Sequence, residues 1–143
     1  MANEMTPMIN QGDDRFFEIL TKVVFYTGFQ RGVVERRWTH FQAEFLHFRI
    51  DQVANFDELD VERLLAKDSP IVRNARKVKA TIENARICQT LIAEHGSLAK
   101  YLHAVTGQEK RSPEGEFRRA FRLVGESAAR SLVTDLRLAA LLY

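Results

Sequence analysis

Between Asp60 and Arg86 the chain reads D-V-E-R-L-L-A-K-D-S-P-I-V-R-N-A-R-K-V-K-A-T-I-E-N-A-R, two helical signals with a short break between them. Asp57, just ahead, suits the N-cap of a helix beginning at Glu58, because its carboxylate can accept from the orphan N–H groups of the first turn. Asp60 then falls at the third helical position, near the positive end of the helix dipole. Phe56 and Val61 stand at the spacing of a hydrophobic staple, and the pattern ends near Ala66. After Lys67-Asp68-Ser69-Pro70, Ser69 is placed to cap a long second helix. Pro70 suits its first position, where a proline has no N–H to lose. Its buried face is expected to carry Ile71, Ala75, Val78, Ile82, Ala85 and Ile92, with Gly96 as the stop. The spacing predicts two helices joined by a tight hairpin at Ala66–Val72.

Helical periodicity continues on both sides. Upstream, Phe16, Phe17, Leu20, Val23, Val24 and Thr27 form one stripe of a helix that Gly28 and Gly32 then loosen. A second short helix carries Val33 and Val34. A third covers Trp38–Phe48, with Phe41, Phe45 and Phe48 on one face. Downstream, a short helix spans Ser97–Val105 and a polar link spans Thr106–Arg111. Ser112-Pro113 opens a helix through Phe117 and Phe121, and Gly125 precedes a last helix carrying Ala128, Ala129, Leu132, Val133 and Leu136. Period-two alternation is nowhere convincing, so the expected fold is all-α with about eight helices.

The 143 residues (16.5 kDa, 45% hydrophobic, 28% charged) have the balance of a soluble globular protein with one core. A polar tail over residues 1–12 and one domain over 13–143 are expected. Met1–Gly12 lacks the cationic start and apolar stretch of a secretory signal, and no apolar run approaches the roughly 18 residues of a spanning helix. A cytoplasmic location and no membrane partner follow as expectations. The single cysteine, Cys88, excludes an internal disulfide framework and suits a small buried side chain. Cys88 and the four histidines, His40 and His47 among them, show no metal-ligand spacing. No metal or cofactor is expected.

The net charge of +2 excludes little, but its distribution is uneven. Lys67, Arg73, Arg76, Lys77, Lys79 and Arg86 face only Asp68 and Glu83, beside the predicted hairpin. Such a run is commonly the solvated face of an amphipathic helix. Next to a tight helix–turn–helix connection it is also what phosphate binding requires. A second group, Lys110, Arg111, Arg118, Arg119 and Arg122, is interrupted by Glu114 and Glu116.

The D-V-E-R-L run, the hairpin ending I-V-R, and the later N-A-R resemble the hairpin region of the DNA-3-methyladenine glycosylase I family, within the helix–hairpin–helix DNA glycosylases. Phe41–Phe48 with Val53-Ala54 is similar to the family's Y-R-x-x-F-x-x-F-D-P-x-x-V-A. Phe121-Arg122-Leu123-Val124-Gly125 is similar to its F-K-F-V-G. The resemblance covers most of Asp14–Leu138. It implies an all-helical single domain that grips duplex or alkylated DNA at the hairpin through Ser69, Arg73, Arg76, Lys77 and Lys79. It also implies extrusion of an alkylated base for base-excision repair.

The resemblance does not carry the family's chemistry. With Gly28 set on the glycine of the family's L-E-G-x-Q-A-G-L-S-W, Val23 stands where the essential glutamate belongs. A valine can neither take a proton nor stabilise positive charge on a sugar. Arg31 replaces the tryptophan that stacks on the base. Val23, Tyr26, Gly28 and Arg31 are thus the base-pocket candidates, with Phe29 and Trp38 as further aromatic ones. No catalytic residue is assigned. Side chains for the family's zinc site and its N-terminal aromatic residues have no counterpart in the sequence. Among other carboxylates, Asp13 or Asp14 suits an N-cap, and Glu35 suits a surface pair with Arg31 or Arg36. Glu18 and Glu35 are the candidates for a substituted acid. A base-excision glycosylase-like DNA binder is expected. The alternative is a non-enzymatic helical scaffold for protein or nucleic-acid interaction.

Overall fold

The computed structural model describes residues 11–28, 30–106 and 112–142. Among them lie nine α-helices: α1 (Gln11–Tyr26), α2 (Arg31–Arg36), α3 (Trp38–Glu44), α4 (Ile50–Val53), α5 (Glu58–Leu65), α6 (Ala75–His95), α7 (Leu98–Thr106), α8 (Pro113–Ala120) and α9 (Glu126–Leu138). A 3-10 turn, Leu46–Phe48, joins α3 to α4. No strand occurs among the described residues. The all-α expectation holds, at nearly the expected number of helices.

Helix α1 is the centre because its apolar positions run nearly all round it. Phe16, Phe17, Leu20, Val23, Val24 and Phe25 are all buried, and α2, α4, α6, α7, α9 and the 3-10 turn surround the helix. On one side Phe17 meets Phe48 edge-on, and Phe48 continues a stack through Trp38, Phe41 and Phe45. On the other, Phe16 meets Phe117 and Phe121 from α8 and its C-cap. These rings supply much of the buried apolar area, and offset or edge contacts are the geometries aromatic pairs prefer.

Polar side chains of α1 fix where its neighbours begin. Asp13 accepts from the Leu98 N–H at the start of α7, at 2.9 Å, and Asp14 from the Ile50 N–H at the start of α4, at 3.1 Å. The expectation that one of them caps its own helix is corrected: α1 begins before them, at Gln11, and they cap two helices distant in sequence. Orphan N–H groups buried beneath α1 need acceptors, and its first turn provides them.

Helix α5 begins as expected. Asp57 accepts from Leu59 and Asp60 N–H, and the Asp60 carboxylate accepts in return from Asp57 N–H. Helix α6 begins later than expected. Its N-cap is Asn74, whose side chain accepts from Lys77 N–H, rather than Ser69 with Pro70 at the first position. Ile71 is drawn into the core, 2% exposed, while Ala75 is exposed. Five further helical residues would advance about 7.5 Å along the axis and carry Ile71 away from that socket. The expected continuous helix Trp38–Phe48 is also broken. Leu46, His47 and Phe48 all take positive φ (53°, 58° and 57°), a left-handed turn that seats Phe48 against Phe45 and Trp38. Each such residue costs roughly 1–2 kcal/mol, offset by burial of the Phe48 ring.

Candidate nucleic-acid interface and neighbouring cavity

The connection between α5 and α6 runs from Ala66 to Asn74 without helical residues. A turn closes at its start, with Ser69 N–H donating to the Ala66 carbonyl at 3.0 Å. Arg37, between α2 and α3, braces its middle by donating from Nη1 to the Pro70 carbonyl at 3.2 Å. Arg73, Arg76 and Lys79 are exposed around the end of the hairpin and the first turns of α6. Two other sequence candidates are placed differently. The Ser69 hydroxyl is enclosed beneath the hairpin and has no hydrogen-bond partner among the described residues, so it is not presented to a phosphate in this conformation. Lys77 turns inward: its ammonium donates to the carbonyls of Phe25, at 3.1 Å, and Thr27.

This Lys77 contact closes α1. Thr27 N–H and Oγ1–H both donate back to the Val23 carbonyl, and Gly28 takes φ +70°, where a side chain would be strained. Helix ends leave carbonyls without partners, and a cation there also favours the negative end of the dipole. Burial pushes the Lys77 pKa down. Lys77 thereby ties the Gly28 turn to the base of the hairpin. It is a clamp rather than the phosphate contact expected from its place in the basic run.

A cavity of about 340 Å³ opens on the other face of α1. Arg15, Glu18, Ile19, Lys22 and Tyr26 line it from α1, Arg31 and Glu35 from α2, and Asp135, Leu138 and Ala139 from α9 and its C-cap. The Arg31 guanidinium lies over the Tyr26 ring, 4.4 Å from its centre. Tyr26 O–H donates to Glu35 at 3.0 Å, which corrects the expected pairing of Glu35 with a neighbouring arginine. Burial first, then the bond to Glu35 and its charge, pushes the Tyr26 pKa up to about 12. Glu18 accepts from Trp38 Nε1–H at 2.8 Å and Gln42 Nε2–H at 2.9 Å, and Arg15 lies 3.5 Å from it. Both candidate carboxylates therefore face one cavity, each already holding donors. The α9 wall carries no sequence motif, and only the folded chain brings it to α1.

Tyr26 and Arg31 meet at this cavity, whereas Val23 does not open to it. Val23 is 1% exposed and belongs to the main buried cluster, which corrects its place among the base-pocket candidates. Residues 19, 22 and 26 share one helix face, and position 23 is turned about 100° from 22. Trp38 is stacked in the core. Phe29 lies outside the described residues, as do Lys110 and Arg111 of the second basic group. Of the rest of that group, Arg119 pairs with Glu116 and Arg122 with Glu83.

Among the described residues no three His, Cys, Asp or Glu side chains are grouped to hold a metal. Cys88 is fully buried and burial raises its thiol pKa. His40 and His47 are exposed, and His95 lies against Tyr101. No described helix is long and apolar enough to cross a membrane.

The family model for methyladenine glycosylase matches residues 6–139. Among solved structures, the chain is similar to a 3-methyladenine DNA glycosylase I at 23% identity and a TM-score of 0.73, covering 91% of this chain and 80% of that one. It is also similar to the Staphylococcus aureus 3-methyladenine DNA glycosylase I solved for its recognition of 3-methyladenine. There the identity is 18% and the TM-score 0.73, covering 91% of this chain and 77% of that one. A variant of 3-methyladenine DNA glycosylase I crystallised in complex with 3-methyladenine matches at 19% identity and a TM-score of 0.74, covering 91% and 78%.

Proposed function

The chain belongs to the methyladenine glycosylase family, and from that premise we propose that it binds duplex DNA, alkylated duplexes included, at the hairpin edge. Base-excision repair is the setting, and DNA is the substrate class of the family. Arg73, Arg76 and Lys79 supply the phosphate contacts. The observation that carries this reading is that all three are exposed beside the hairpin with no carboxylate partner among the described residues. Some cations on other faces are paired, as Arg63 is with Glu44 and Asp60, and Arg130 with Glu126, and what sets Arg73, Arg76 and Lys79 apart is that they lie together beside the hairpin.

Tyr26 and Arg31 would meet an extruded base at the cavity. Val23 contributes no acid there, so cleavage through the family's glutamate position is absent. A short duplex titrated by fluorescence anisotropy at several salt concentrations tests the binding. Neutralised phosphates release counterions, so affinity should fall steeply with salt. The Arg73→Ala/Arg76→Ala double variant should flatten the logarithmic slope by about two phosphate contacts. An unchanged slope would reduce these residues to a solvated helix face.

A further inference from the structure

The unneutralised charge does not end at the hairpin. Arg36 and Arg37 are exposed between α2 and α3, and neither has a carboxylate partner among the described residues. In sequence they lie some forty residues from the basic run of α6, but the fold joins the two segments. Arg37 reaches the Pro70 carbonyl in the hairpin, and Lys77 at the start of α6 holds the Thr27 carbonyl just before α2. Glu35, the acid nearest them in sequence, is engaged by the Tyr26 hydroxyl. Gly32 adds to the arrangement. A Cβ there would stand 3.3 Å from the Arg36 guanidinium, so this side chain lies back along α2, toward the Gly28 turn.

We infer that the phosphate-contacting edge is bipartite: Arg36 and Arg37 form its second half, and a duplex lies across both the hairpin and the α2–α3 junction. This rests on the DNA-binding function proposed above. Arg37 has a double role, since one guanidinium nitrogen braces the hairpin while the charge stays at the surface. Arg36 makes no such brace, and its contribution is charge alone.

Arg36 is therefore the residue to test, by the salt dependence of short-duplex binding to the full-length protein. Arg36→Ala should lower the logarithmic salt slope by about one phosphate contact, with an unchanged thermal melt because the side chain is exposed. Arg36→Lys, which keeps the charge, should retain the wild-type slope. Arg73→Ala serves as the independent reference. If Arg73→Ala flattens the slope and Arg36→Ala leaves it at the wild-type value, the edge ends at the hairpin and the inference fails alone. If neither changes it, or the wild-type protein does not bind the duplex at low salt, the proposed DNA-binding function fails with it.

Discussion

Position 23 shows how one side chain decides what a helix can do. Its carbonyl holds the end of α1 by accepting from both Thr27 donors, a contact any residue would provide. Its side chain is sealed in the core, a place only an apolar group fills without cost. An acid at this position would have to ionise without solvent or hold a proton at neutral pH. Val23→Glu should accordingly destabilise the fold by about 3 kcal/mol or more, read as a lower urea midpoint at pH 7, with part of the loss recovered at pH 5. Retention of the wild-type midpoint at pH 7 would mean that the site opens far enough to hydrate a carboxylate. Lys77 makes the same point from the other side. Its charge was visible in the sequence, yet its destination was not, because the carbonyls it meets lie some fifty residues away.

Among the helices, what could be read ahead of the structure depended on how local the cause was. The start of α5 was legible because Phe56, Asp57, Asp60 and Val61 together carry a complete capping signal within six residues. The start of α8 was legible for the same reason, with Ser112 accepting from Gly115 N–H and Pro113 in the first turn. The start of α6 offered two competing signals, Ser69-Pro70 and Asn74. Burial of Ile71 decided between them, and burial is a property of the whole core. The left-handed turn at Leu46–Phe48 carries no glycine to announce it. Asn84 is a further element-scale tie. Fully buried on α6, it donates to the Arg122 carbonyl at 3.2 Å and accepts from Arg122 N–H at 2.7 Å. It thereby anchors the turn that leads into α9. Asn84→Ala leaves both backbone groups without that partner and should cost about 2–3 kcal/mol, measured by chemical denaturation. A loss below about 0.5 kcal/mol would show that the turn is held by the packing of Phe121 and Val124 alone.

For the whole molecule, α1 separates two surfaces. One end meets the hairpin through the Gly28 turn and Lys77, beside an edge of exposed cations. Along its flank the cavity gathers Glu18, Tyr26, Arg31 and Glu35. The basic edge was partly legible because three of its cations, Arg73, Arg76 and Lys79, fall in one run near the hairpin. The contribution of Arg36 and Arg37 emerges only when Arg37 is seen on Pro70. The cavity was legible only as scattered candidates, since α9 completes it. The central claim is that the chain retains the DNA-gripping edge of its family while position 23 supplies no acid for cleavage. Its most direct test is the release of 3-methyladenine from alkylated duplex DNA, followed over time with protein in excess of lesions. Release at the rate seen in buffer alone is the predicted result. Release clearly above that rate would contradict the account and place the chemistry on another carboxylate.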